Sequence, residues 1–520
     1  MADKCGTASG SPAPEDTPAA TFEEMNAPNI LLIVSDQERQ RDWIPAGFEL
    51  PARQRLLDKG LEFTRYYTHT SPCSPARGTL FTGQYLPVHG VNENCIMPAN
   101  GELSTDAQTL GKLFRDQGYY TGYKGKWHLA PTAFPDMDAY GFSDWEGNDK
   151  AFWGQAGSGV EFDEPIARSA ADWIRERNNH NQPWFLSVGL VNPHDIMWFP
   201  MDQPWYQDQH RETVDALKAR YAGYDWGRDD PLPAFTLPYE RWTTELPANF
   251  HDDLHTKPDV HRRFMHEMGR SNGWIERHDH DHWMRLLDYY LKLHQMSDQS
   301  LTLMLDALDE TDSWDNTVVI YTSDHGDQTG SHGLKSKGPW NYEETMRIPL
   351  YVVAPGHTSP NTVTDAMMSP IDVAATICEL GGIDPAEHGL PGRSMLDLWA
   401  NPTTASGRDH VLFAQDWAWY DGLVNTRYAS RGIFDGRYKY CRYYGVGGSS
   451  TTRGTPIERP KLYGSDAAFD DQEHEFYDLH EDPGELINLA MDPARRAEVR
   501  AWYDRLLEAE ADEFASLPSY

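Results

Sequence analysis

Three residue pairs and one short segment hold the side chains that could do chemistry. Asp36-Gln37 follows the run NILLIVS, Pro193-His194 follows WFLSVGLV with its trailing Asn192, and Asp324-His325 follows NTVVIYTS. Each run is short, apolar and rich in β-branched residues, the pattern of a strand buried on both faces. Ligands of an open parallel sheet sit beyond the C-terminal ends of its strands. Asp36, Gln37, His194, Asp324 and His325 are therefore expected to meet at one sheet edge. One such pair alone is more often an ordinary turn, and it is their convergence that points to function. Two carboxylates, an amide oxygen and an imidazole make a donor set for one divalent cation. The remaining segment, Cys73-Ser74-Pro75-Ala76-Arg77-Gly78-Thr79, puts a thiol at the start of a short helix and a guanidinium one turn later. That environment is expected to lower the Cys73 pKa and activate it. A lone helix-start cysteine without a role is the plain alternative.

The elements that must position these groups alternate along the chain. Helices are expected over Arg53–Lys59, Leu110–Gln117, Ile166–Arg177, Trp283–Leu308 and Ile371–Leu380, with Gly60 and Gly118 closing the first two. Strands are expected at Asn29–Ser35, Leu61–Tyr66, Trp184–Val191, Asn316–Ser323 and Ile348–Gly356, together with the extended stretch YYTGYKGKWHL carrying Lys126 and His128. This alternation predicts an α/β fold with a mostly parallel sheet covered on both faces. Residues 201–282 are rich in Trp, His, Pro and Asp without a long period, and read as an insertion over the site. After residue 407 shorter, aromatic strands predict an antiparallel C-terminal subdomain (407–520), closed by a helix over Pro493–Glu508. Residues 28–406 form the catalytic unit, and residues 1–27 an acidic, Pro/Ala/Thr-rich tail expected to be disordered.

Composition bounds the partners. Eighty acidic against 45 basic residues leave a formal charge of −35 over 520 residues. Such a surface repels nucleic acid and anionic membranes. No apolar run reaches the ~20 residues that span a bilayer, and the amino-terminal stretch lacks the basic start and apolar core of a signal peptide. Cysteines 5, 73, 95, 378 and 441 are too few for a disulfide framework and form no CxxC pair. A cytoplasmic protein is the expectation.

The segment Cys73–Gly83 resembles the C-x-P-x-R signature of the formylglycine-dependent sulfatases, with their T-G continuation at Thr82-Gly83. The resemblance extends over nearly the whole chain. Asp36-Gln37 and Asp324-His325-Gly326 are similar to that family's metal pairs, and Gly125-Lys126-Trp127-His128 to its lysine–histidine pair. Pro193-His194 is similar to its later histidine. Lys337-Gly338-Pro339, with Glu343-Glu344 and Arg347-Ile348-Pro349, resembles its lysine loop, and Glu475–Ala490 its C-terminal signature. The fold this implies is the alkaline-phosphatase-like α/β/α sandwich with a C-terminal subdomain.

The resemblance also implies roles. A maturation enzyme oxidises Cys73 to formylglycine, whose hydrate attacks sulfur beside a divalent cation held by Asp36, Gln37, Cys73, Asp324 and His325. Arg77 orients the diol, and Lys126 and Lys337 clamp the sulfate. His128 is the base that releases product, and His194, with Lys337, is the acid for the leaving group. Asn94 resembles a substrate contact and serves equally as a turn asparagine. Lys335 reads as a solvated neighbour of Lys337, and His278–His282 (HDHDH) as a charged helix start rather than a second metal site. One departure stands out: Asp-Gln and Asp-His replace the common Asp-Asp and Asp-Asn pairs. This set resembles phosphonate monoester hydrolases and choline-sulfatase-type members, and leaves calcium and manganese both open.

The expected activity is hydrolysis of a small, aryl sulfate ester, with phosphonate monoester or phosphodiester hydrolysis as the rival. A non-catalytic binding protein on the same scaffold would leave Cys73 unmodified or lose the cationic positions. The expected partners are the anionic ester and the maturation enzyme, with a homo-oligomer left open.

Overall fold

The computed structural model describes residues 27–95, 102–130, 137–147, 154–222, 229–420, 425–447 and 461–514. Apart from Ala27, the expected amino-terminal tail lies outside the described residues.

Seven strands form the main sheet: β1 (Asn29–Asp36), β2 (Leu61–Tyr67), β3 (Tyr120–Gly125), β4 (Trp184–Pro193), β5 (Thr317–Ser323), β6 (Arg347–Val353) and β7 (Thr362–Thr364). Their order is β3-β4-β1-β5-β6-β2-β7, so the first strand lies inside the sheet, between β4 and β5. β1 runs parallel to β4 and β5, with Ile33 opposite Val188 on one side and Tyr321 on the other. The alternation of β1 shows why the run had to be apolar throughout. Ile30, Leu32 and Val34 enter one core, whereas Leu31 and Ile33 enter the core on the opposite face. The first core is closed by α2 (Cys73–Thr82), α3 (Leu110–Asp116) and α7 (Pro370–Leu380). The second is closed by α1 (Pro51–Lys59), α4 (Ser158–Arg177) and the long α6 (His280–Glu310).

β6 is antiparallel to both β5 and β2. The chain returns from β5 to the adjacent β6 without a crossover helix, which dictates the reversed direction. That return, residues 324–346, is the loop holding Asp324, His325 and Lys337. The stretch carrying Lys126 and His128 stops being strand at Gly125, so both side chains lie past the end of β3.

The insertion is more regular than its composition suggests. It contains helices at Pro204–Gln209 and Arg211–Tyr221, and α5 at Asp259–Asn272. α5 buries Val260, His261, Phe264, Met265, Glu267 and Met268. Its inward face mixes polar with apolar residues, which hides the helical period from a hydropathy pattern. The HDHDH tract begins α6 as expected. Asp279 is the N-cap, its carboxylate accepting from the His282 backbone N–H and meeting the His282 ring.

Beyond these lies a five-stranded antiparallel sheet: β8 (Val411–Tyr420), β9 (Asn425–Phe434), β10 (Tyr438–Gly447), β11 (Lys461–Tyr463) and β12 (Glu473–Asp478). α8 (Arg496–Glu513) packs Val499, Tyr503 and Leu506 against Ile433, Tyr440 and Phe476 of this sheet. No helix of the described residues is long and apolar enough to cross a membrane.

Candidate active site

The strand ends deliver the expected groups to one place. Asp36 closes β1, Asp324 follows β5 and His194 follows β4, and α2 points its first residue, Cys73, between them. Cys73 Sγ lies 3.5 Å from Asp36 Oδ1, 3.3 Å from His325 Nε2, 3.2 Å from Lys337 Nζ and 4.0 Å from Lys126 Nζ. Asp36, Cys73, Asp324 and His325 each offer a ligand atom, and these atoms lie within 4.8 Å of one another. Arg77, fully buried, ties the floor of the site together. Its Nε donates to Asp324 Oδ2 at 3.0 Å, its NH2 to Asp36 Oδ2 at 3.1 Å and its NH1 to the Lys126 carbonyl at 2.9 Å. Lys126 Nζ makes a second contact to Asp36 Oδ2 at 2.7 Å, and His194 Nε2 stands 4.0 Å from Asp36 Oδ1.

The sulfatase family profile matches residues 28–383, most of the chain and all of these side chains. The chain belongs to the sulfatase family. A second profile, the C-terminal region of N-sulphoglucosamine sulphohydrolase, matches residues 330–451. The chain is 28% identical to a multifunctional alkaline phosphatase superfamily protein, PehA, of Trinickia caryophylli, over 93% of this chain and 95% of that one. It is 26% identical to a Δ4,5-hexuronate-2-O-sulfatase of Bacteroides thetaiotaomicron, over 96% and 92% of the two chains. Among solved structures, the phosphonate monoester hydrolase of Agrobacterium radiobacter has the same fold, with a TM-score of 0.62 at 20% identity and 94% and 96% coverage. This sulfatase is accordingly a sulfuric ester hydrolase with the alkaline-phosphatase-like fold.

The electrostatics of the sulfatase site differ from the sequence expectation at Cys73. Burial, reinforced by the Asp36 carboxylate, pushes the thiol up to about 12 despite the two lysines. The helix start and Arg77 do not activate it, because Arg77 is spent on the two aspartates. Burial would also raise Asp36, yet the charges of Lys126, Arg77 and Lys337 outweigh it and hold that carboxyl well below its usual range. Asp324 goes the other way: burial and the neighbouring Asp36 push it up to about 7. A buried carboxylate short of positive charge, beside a second carboxylate and facing an imidazole, fits a divalent cation. His325 is prepared for that role. Its Nδ1 donates to the Gly326 carbonyl at 2.9 Å, which leaves the lone pair of Nε2 turned toward Cys73. Gln37, in a left-handed conformation (φ 67), places its Oε1 2.5 Å from Lys337 Nζ, so a cation there would share that oxygen with the ammonium.

Burial first, then the positive charges of Lys337 and Lys126, holds His194 well below its ordinary value. Burial and Lys126 do the same to His128. Asn94 accepts from the Ser74 backbone N–H at 3.1 Å and so steadies the first turn of α2. Two functional neighbours escaped the sequence reading. Asp327 accepts Gln37 Nε2 at 2.6 Å and orients that amide; the signal was its place three residues beyond Asp324. Gly154 (φ 100) lies flat against His194, where a Cβ would come within 2.3 Å of the ring. Only glycine suits that backbone and that contact.

Lys335 is a correction. It is 3% exposed rather than solvated, and its Nζ donates to the carbonyls of Phe199 (2.6 Å) and Asn272 (2.9 Å). It thereby ties the loop after β5 to the segment after β4 and to the end of α5. Burial pushes its pKa down to about 7. The unfolded lysine keeps its proton to about 10.4, so above pH 7 the unfolded chain binds more protons and stability rises with pH. Lys335→Met should flatten this rise between pH 7 and 10, as thermal melts across that range would show.

Proposed function

We propose that the chain hydrolyses a small sulfate monoester, of aryl type, with formylglycine at position 73 as nucleophile. The reading rests chiefly on the position of Cys73 Sγ, in reach of Asp36, His325 and two lysine ammonium groups at the floor of a buried site. As formylglycine hydrate, residue 73 would supply one hydroxyl to attack sulfur and a second whose deprotonation expels sulfate and restores the aldehyde. A divalent cation, calcium or manganese, held by Asp36, Gln37, residue 73, Asp324 and His325 would acidify that nucleophile and draw charge from the ester.

The chain's own residues do the rest. Arg77 fixes both aspartates, and through them the orientation of residue 73. Lys126 and Lys337 receive the sulfate oxygens as negative charge shifts during attack. Asn94 supports α2 and lies beside the substrate position. His128 takes the proton whose removal releases product. His194 gives a proton to the departing oxygen. In the free site burial, with the two lysines, keeps His194 neutral, so it gains that proton only when a bound anion offsets the lysine charge. The activity loss on the alkaline side should therefore fall at higher pH in kcat, which reports the complex, than in kcat/KM, which reports the free protein. Superimposed alkaline limbs in the two profiles would remove His194 from this role.

His194→Ala should slow esters of poor leaving groups far more than nitrophenyl-like ones, because more charge builds on a poor leaving oxygen. Equal slowing of both, with the selectivity between them unchanged, would assign the acid elsewhere.

A second reading, phosphonate monoester hydrolysis, is favoured by the Asp-Gln and Asp-His donor pairs. Sulfate monoesters and phosphonate monoesters both carry one negative charge, so the cations of the site alone do not separate them. Parallel kcat/KM values on one phenol's sulfate and phosphonate esters test the assignment. A higher value for the sulfate supports the first reading, and a large preference for the phosphonate replaces it.

A further inference from the structure

Three residues of the lysine loop and the C-terminal signature take no part in that chemistry, yet they converge. His332, Glu344 and Glu485 each present one ligand atom, and the three atoms lie within 4.8 Å of one another. His332 is fully buried, Glu485 is 1% exposed and Glu344 is half-buried. His332 Nε2, Glu344 Oε2 and Glu485 Oε1 are buried atoms without a hydrogen bond. Polar atoms left without hydrogen bonds in the interior are costly, and His332 Nε2 and Glu344 Oε2, beside a Glu485 Oε1 served only by an ion pair, call for something between them.

The surroundings say what. His332 Nδ1 meets Asp252 Oδ2 at 2.8 Å, so Nδ1 carries the hydrogen and Nε2 keeps its lone pair. A carboxylate behind a histidine in this way is the usual support of a metal-binding imidazole. The ring is clamped by stacking on Tyr342 at 4.0 Å. Both His332 (φ 56) and Glu485 (φ 51) hold left-handed backbone conformations to reach this point, which non-glycine residues adopt at some cost. Glu344 Oε1 accepts from Asn249 Nδ2 at 3.0 Å, and Glu485 Oε2 from the Glu343 backbone N–H at 2.8 Å, fixing both carboxylates. One cation is already near: Lys439 Nζ lies 3.0 Å from Glu485 Oε1 but is shared with Glu343 at 2.7 Å, and it reaches neither His332 nor Glu344 by ion pair or hydrogen bond. A cavity of about 420 Å³, lined in part by Glu343, Glu344 and His480, reaches Glu344.

We infer that His332, Glu344 and Glu485 bind a second, structural divalent cation of the zinc or manganese class. An imidazole nitrogen with two carboxylates suits these ions better than calcium, which prefers oxygen alone. The ion would join the Ser331–Gly333 turn, the short helix Glu343–Met346 and the turn after β12. It would thus brace the loop that carries Lys337 against the C-terminal sheet.

The test must separate this ion from one held at Asp36 and Asp324. In the full chain carrying Asp36→Asn and Asp324→Asn, desalted after equilibration with Zn²⁺ or Mn²⁺, elemental analysis should find one equivalent per chain. Adding Glu344→Gln, at the half-buried ligand where folding is least threatened, should remove it, and so should His332→Gln. Zn²⁺ should raise the melting temperature of the chelator-treated double variant and leave that of its Glu344→Gln derivative unchanged. Two results would overturn the inference: no retained ion and no thermal shift in the double variant, or an equivalent that survives both ligand substitutions. A melting temperature that responds to pH but not to Zn²⁺ or Mn²⁺ would also overturn it, pointing to a protonated His332 between the two carboxylates. Failure of the formylglycine site reads out differently, as a wild-type chain whose single equivalent is insensitive to Asp36→Asn and Asp324→Asn.

Discussion

Cys73→Ser should lower kcat on the order of 10⁴- to 10⁶-fold, the scale of losing a catalytic nucleophile, and Cys73→Ala should do the same. The two variants should differ in what they leave behind. A serine hydroxyl in this position faces the same Lys126 and Lys337 and can attack once, but it has no second hydroxyl to expel the sulfate. Mass spectrometry of the Cys73→Ser chain after incubation with substrate should find up to one sulfate on residue 73, and the alanine chain should carry none. In the active wild type the peptide containing residue 73 should hold an aldehyde in place of the thiol. The unmodified thiol is a poor substitute, since burial and Asp36 push it up to about 12. Cys73 is also fully buried, so an enzyme that converts it to formylglycine would have to meet this segment before the chain folds. Exposure of folded, unmodified protein to that enzyme should leave it inactive, whereas maturation during synthesis should succeed. Full activity with Cys73 wholly unmodified would overturn the mechanism.

The parts of this site that were legible in the sequence are those set by strand ends. NILLIVS, WFLSVGLV and NTVVIYTS are apolar on both faces, so each had to be a central strand, and the polar residues after them had to leave the sheet at its carboxyl edge. The direction of β6 was less accessible, because IPLYVV is equally apolar whichever way it runs and only the missing crossover helix reverses it. Charge states were least legible. Cys73 and Arg77 look like an activated pair along the chain, but Arg77 reaches across to Asp36 and Asp324, partners 41 and 247 residues away. Lys335 fails for a similar reason: nothing near it in sequence announces that Phe199 and Asn272 will enclose it. The role of Gly154 depends on a contact with His194 that no local pattern encodes. The inserted helix α5 was hidden because His261 and Glu267 are buried on its inward face beside Phe264 and Met268.

Asp324→Asn should lose the cation and the activity together, with kcat/KM falling on the order of 10³-fold or more, at the upper end of what removing one oxyanion-hole donor costs. The argument is one of charge. Arg77 spans Asp36 and Asp324 in the buried site and Lys126 adds a second partner to Asp36, so Asp324 is the carboxylate left short of positive charge until a further cation is present. Without it, burial and Asp36 push Asp324 up to about 7. The unfolded carboxyl titrates near 3.9, so between those values the folded chain holds a proton that the unfolded chain has released. Stability of the metal-free protein should then be greatest below pH 4 as far as this group is concerned, and decline as pH rises toward 7. Adding the divalent cation should cancel that decline, with tighter binding at higher pH because the proton no longer competes. Asp324→Asn removes both effects: its metal-free stability should lose this pH dependence, and, in a Glu344→Gln background that takes away the second proposed ion, the cation should no longer protect it. Melting curves of chelator-treated Glu344→Gln chains with and without Asp324→Asn, from pH 4 to 8 and with and without Mn²⁺ or Ca²⁺, carry the comparison. A variant that binds the ion as its Glu344→Gln parent does, or a parent whose metal-free stability rises from pH 4 to 7 while that of the variant stays level, would remove Asp324 from the metal site.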